Sequence, residues 1–61
     1  MKNFIVRFEA IGTNDNTLER FFDEQTVIED VKYLLESWYS SGLKWFVIED
    51  EDEEIIYDSQ E

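Results

Sequence analysis

A chain of 61 residues with 16 acidic and 5 basic side chains has a formal net charge of −11, and it contains no His, Cys or Pro. The length fits one small domain and excludes a two-domain enzyme. The composition excludes a disulfide, a thiolate nucleophile, a thiolate metal site and the imidazole base common near neutral pH. No apolar run approaches the ~20 residues of a membrane span, and no signal peptide opens the chain, so a cytoplasmic protein is expected. High net charge can accompany disorder, but disordered chains are poor in aromatic and β-branched residues. Here aromatics reach 16%, as five Phe, three Tyr and two Trp, enough for a folded core.

Asn3 to Ile11 alternates with period two: Phe4, Val6, Phe8 and Ala10 share one face and Ile5, Arg7, Glu9 and Ile11 the other. That pattern predicts a half-buried strand. Gly12 to Asn16 is a cluster of turn residues, and Thr17 to Glu24 reads as the returning strand of a hairpin, with Phe21 and Phe22 adjacent in an imperfect alternation. Thr26 followed by Glu29 fits a capping box at a helix start, and Asp30 lies near the positive end of the helix dipole. Val27, Ile28, Val31, Leu34, Leu35 and Trp38 form one apolar helical stripe, with Glu29, Tyr33, Glu36 and Ser40 opposite. Gly42 is placed to end the helix in a left-handed cap.

Leu43 to Ile48 is a nearly continuous apolar run, read as a strand buried on both faces, with Leu43, Trp45 and Val47 on one side and Phe46 and Ile48 on the other. A turn centred on Glu51 and Asp52 pairs Ile48 with Ile55, Val47 with Ile56 and Phe46 with Tyr57, all favourable cross-strand partners. The expected fold is α+β, a single domain over 1–61 in the order ββαββ. A right-handed connection gives one antiparallel sheet of strand order 2-1-3-4, with the helix on one face. Phe4, Val6 and Phe8 then meet Val31, Leu34, Leu35 and Trp38. The other face is left open with Ile5, Ile11 and one apolar set of the third strand, a patch that suits an interface. A two-fold homodimer is its simplest use, doubling the charge to −22.

The carboxylates complete no catalytic constellation, because no nucleophile or base stands beside them, so no enzyme is expected. Asp50, Asp52 and Glu54, with Glu61 at the twelfth position, echo a calcium loop, but the glycine its sharp turn needs is Ile55 here. No cofactor or metal is expected. Direct nucleic-acid binding draws on basic residues, and an amphipathic membrane anchor needs a basic polar face. Neither suits this chain.

The charge is unevenly placed: residues 1–48 carry eight acids and five bases, whereas residues 49–61 carry eight acids and no base. Ile55, Ile56 and Tyr57 inside that stretch mark a strand, so the acids are displayed on a structured hairpin. Alternate strand residues project from one face about 6.6–6.8 Å apart, of the same order as backbone phosphates. Glu49, Glu51 and Glu53 line one such row and Asp50, Asp52 and Glu54 the other. Size, charge, this acidic hairpin, aromatic content and the ββαββ order make the chain similar in type to short acidic inhibitors encoded by bacteriophages. The resemblance implies a non-enzymatic DNA mimic that occupies the nucleic-acid-binding surface of a basic host protein: a nucleoid-associated protein such as HU, RNA polymerase or a defence nuclease. Contacts would come from Glu49, Asp50, Glu51, Asp52, Glu53, Glu54 and Asp58, from Glu29 and Glu36 on the helix, and from Tyr33. The alternative is a small regulator that binds through its apolar sheet face or an edge strand.

Overall fold

The computed structural model describes residues 1–60; Glu61, counted above with the acidic C-terminal stretch, lies outside them. Four strands and one helix follow in the order β1 (Lys2–Ala10), β2 (Asn16–Phe22), α1 (Val27–Tyr39), a 3-10 turn (Ser40–Gly42), β3 (Leu43–Glu49) and β4 (Ile55–Asp58). The strands form one antiparallel sheet of order β2-β1-β3-β4, so the α+β, ββαββ architecture is as the sequence indicates. β1 is central because its alternation supplies a wholly apolar face: Phe4, Val6, Phe8 and Ala10 are all buried. They meet Val27, Val31 and Leu35 of α1, together with Phe22, Phe46 and Ile48.

Rings close the rest of this layer. Phe4 and Phe22 lie 6.5 Å apart, Phe8 and Tyr39 5.5 Å, and Phe46 and Tyr57 5.3 Å between centroids. The β1–β2 turn is held by Thr13, whose N–H donates to the Ala10 carbonyl at 3.0 Å and whose hydroxyl donates to the same oxygen at 3.1 Å. Gly12 there takes a φ of 87°, which its missing Cβ permits.

Five local expectations are corrected. The capping box does not form: the Thr26 hydroxyl makes no cap bond but donates to the Asp30 carboxylate at 2.8 Å. The chain enters α1 through Asp23, whose carboxylate accepts from the Gln25 N–H at 2.9 Å and whose carbonyl accepts from the Thr26 N–H. At the other end Ser40, not Gly42, takes the positive φ, at 53°, and its N–H donates to the Glu36 carbonyl. Gly42 serves instead as a packing surface, its α-carbon facing the Ile11 side chain and its carbonyl accepting from the Ile11 N–H at 2.8 Å.

Trp38 is 49% exposed and Ile28 38% exposed, while Tyr39 packs on the core. The helix contacts the sheet along the i, i+4 ridge Val27-Val31-Leu35-Tyr39, a row inclined to the helix axis. By the last turn that row has moved past Trp38.

The fourth and fifth corrections concern β3. Glu9 pairs with Trp45 but Ala10 pairs with Leu43, so Lys44 is an extra residue and Leu43 turns to the helix side, against the core. The open face therefore carries Trp45 and Val47 with Ile5, while Ile11 lies beyond β1 in the turn. On β4, Ile48 pairs with Tyr57, Val47 with Asp58 and Glu49 with Ile55. The expected pairs are displaced toward the C-terminus, because residues 50–54 form a closed loop of their own and a bulge follows it between Ile48 and Glu49. Phe46 still reaches Tyr57, as a diagonal neighbour.

Candidate functional site

The loop between β3 and β4 is built around one side chain. The Asp50 carboxylate oxygen Oδ1 accepts from the N–H of Asp52 at 2.9 Å and of Glu54 at 3.0 Å. The backbone closes the same loop, with the Asp50 N–H donating to the Glu54 carbonyl at 3.0 Å and the Glu53 N–H to the Asp50 carbonyl at 3.1 Å. Glu53 takes a φ of 63° to allow this. Glu51, Asp52, Glu53 and Glu54 are left exposed on a bonded scaffold, and Glu51 accepts a long 3.4 Å bond from the Asn3 N–H.

This geometry corrects the two-row picture. Residues 50–54 are a turn and not paired strands, so their side chains do not alternate along a line. Asp50 is inward and structural. Glu49 is no free carboxylate either: among the described residues it is the one buried charged residue, 9% exposed, and its Oε2 lies 3.1 Å from the Nε of Arg7. Asp58 sits away from the loop, opposite Val47, and its carboxylate accepts from the Gln60 N–H.

The helix acids keep their place. Glu29, Tyr33 and Glu36 are exposed on one stripe of α1 turned from the sheet, Tyr33 at 78%. The i, i+4 and i, i+3 spacings set Tyr33 between the two carboxylates.

The topology adds residues that a reading by segments missed. β1 begins, β2 ends, α1 begins and β3 ends at one end of the molecule, since Lys2 pairs with Phe22 and Ile5 with Glu49. Asp23, Glu24 and Asp30 therefore join Glu29 and the 50–54 loop around that end. Nine acids gather there: Asp23, Glu24, Glu29, Asp30 and residues 50–54. The signal was available in the ββαββ order itself, which fixes which chain ends coincide. Lys2 is the basic residue among them, 3.2 Å from Glu24. Its ammonium is held above the usual lysine pKa, first by the Glu24 hydrogen bond and charge, then by Asp50 and Glu51. The positive end of the α1 dipole also points here, which favours the acids of the first turn.

Among the described residues, no group of three or more carboxylates converges to hold a metal ion, and no helix is long and apolar enough to cross a membrane. What the arrangement offers is electrostatic: carboxylates fixed at one end of a body measuring 30 × 20 × 19 Å. No protein-family model, curated protein or solved structure matches this chain.

Proposed function

We propose that this protein is a non-enzymatic acidic binding protein that occupies the basic nucleic-acid-binding surface of a host protein, as a mimic of DNA, and so inhibits it. The observation that carries this reading is the gathering of nine acids at one end, four of them exposed on a loop that Asp50 holds in shape. Proteins that bind duplex DNA gain much of their affinity from an anionic backbone with one charge per about 1.7 Å of axis. A folded anionic end competes for the same Lys and Arg side chains. Long-range attraction speeds encounter, while Tyr33, between Glu29 and Glu36, adds contact area once the surfaces meet. The partner is a basic DNA-binding protein of an infected bacterial cytoplasm, such as a nucleoid-associated protein, RNA polymerase or a defence nuclease.

Pull-down from a bacterial lysate at low salt should recover basic DNA-binding proteins that added duplex DNA displaces. Converting Glu51, Glu53 and Glu54 to Gln and Asp52 to Asn should weaken capture on the order of ten-fold, from the summed loss of several rim charge pairs. Asp50 is left intact to preserve the loop. Capture unaffected by salt, by DNA and by these substitutions would overturn the proposal.

One observation favours a second reading, an interaction module that uses its sheet. Ile5, Trp45 and Val47 lie half-buried on the face that α1 does not cover, with Phe21 65% exposed beside them. A partner seated there, or a second copy in a two-fold dimer, would be held in a salt-insensitive way.

A further inference from the structure

The uncovered sheet face is not simply apolar. Three rows cross it: Glu19-Ile5-Glu49, Thr17-Arg7-Val47, and Glu9 beside Trp45. Arg7 stands diagonally between two carboxylates, Glu19 on β2 and Glu49 on β3. It bonds Glu49, at 3.1 Å. Lys44 in turn lies 3.2 Å from Glu9. Both cations near this face are thus paired, and among the described residues neither Glu19 nor Asp15 has an ion-pair partner. Between them is an open concavity of about 480 Å³, walled by Ile5, Arg7, Asp15, Thr17, Glu19 and Trp45.

We propose that this groove receives an arginine or lysine side chain of the protein partner. The chemistry is that of a cation on an apolar stem. Ile5 and the Trp45 ring take the methylenes, an indole face attracts a cation lying within about 6 Å of its centroid, and Glu19 and Asp15 supply the uncompensated negative charge. Arg7 does not oppose entry as a free cation would, because Glu49 holds and offsets it. The inference deepens the proposed function and rests on its premise of a basic protein target. It differs in supplying a shaped recess for one side chain, where the acidic end supplies a diffuse field. The groove runs from the Glu19-Ile5-Glu49 row, next to the 50–54 loop, toward Asp15 at the far end of the sheet, so one partner can touch both.

The test is an NMR titration of the ¹⁵N-labelled protein with N-acetyl-arginine amide, and with N-acetyl-citrulline amide as its neutral isostere. The arginine compound should shift the Trp45 indole N–H and the amides of Ile5, Thr17 and Glu19 saturably, and citrulline should not. Glu19→Gln should weaken the arginine compound about two- to five-fold, the scale of one exposed charge pair, with the dispersion of the spectrum unchanged. Equal shifts from citrulline, or shifts confined to residues 23–30 and 50–54, would overturn the proposal. So would sedimentation at twice 7.4 kDa with groove resonances that broaden on concentration, since a second copy would then be the occupant. Retained arginine binding in the variant neutralised at 51–54 supports the groove even where DNA fails to displace captured proteins. The two readings therefore fail separately.

Discussion

Ser40 bears a backbone conformation that glycine would take at less cost. Its φ of 53° and ψ of −114° lie outside the left-handed helical well, where a side chain crowds the backbone and strain of about 1–3 kcal/mol is typical. Ser40→Gly should therefore raise stability by about 1 kcal/mol, after the extra entropy of a glycine in the unfolded chain is deducted. Urea denaturation measures it; a loss of stability would show that the seryl side chain contributes more than the strain costs. Asp50 is the opposite case, a side chain whose removal leaves backbone donors without partners. Asp50→Ala should lower stability by about 1–2 kcal/mol, a fall in melting temperature of about 4–16 °C for a domain this small, whereas Asp50→Asn, which retains the acceptor oxygen, should lose less. In the sequence Asp50 looks like one more acid in a run of six. Only the closure of the loop separates its structural part from the display formed by its neighbours.

At the level of elements, α1 separates residues that hydropathy alone treats alike. Leu35 is fully buried on the contact ridge and Trp38 is half exposed. Leu35→Ala should then cost about 2–5 kcal/mol, and Trp38→Ala, at a half-exposed position, about 1–2 kcal/mol, a difference readable in paired urea melts. Comparable losses would place Trp38 back in the core. The alternation of β1 was legible because one face is wholly apolar, and so were the strand order and the hairpins. Trp38 and Tyr39 were not separable from sequence, because a helical wheel averages along the axis while the sheet meets the helix on a slanting row. The β3–β4 register was not legible either. Matching apolar side chains favours one pairing, but the hydrogen bonds of Asp50 close a five-residue loop that sets another. Of the candidate surface, the exposed loop acids and the Glu29-Tyr33-Glu36 stripe could be read from spacing. The pairing of Glu49 with Arg7 could not, since it depends on a diagonal across two strands far apart in sequence.

Across the whole molecule the dominant fact is charge of one sign. Sixteen acids against five bases repel one another in the compact state, and the gathering of nine at one end concentrates that repulsion. The three ion pairs of the described residues involve exposed or half-exposed cations, and such pairs contribute about 0–1 kcal/mol each. Salt screening of the repulsion should exceed the weakening of these pairs. Raising NaCl from about 10 mM to 150 mM shortens the Debye length from about 30 Å to 8 Å, below the longest dimension of the molecule, and the melting temperature should rise. A fall would mean that paired charges stabilise this fold more than like charges destabilise it.

The sheet also has two margins, β2 and β4, that pair with no further strand. β4 is only four residues long, and its Ile55 and Ile56 are exposed. A margin of that kind invites another chain to add itself and begin a fibril, which natural sheets discourage by keeping the outermost strand short and placing charge near it. Here the carboxylates of the preceding loop stand at the entrance to that strand, so two molecules approaching margin to margin bring matching anionic fronts together. The surface proposed to meet a basic partner thus also guards colloidal stability, and any variant stripped of these acids should be more prone to fibrillar self-assembly.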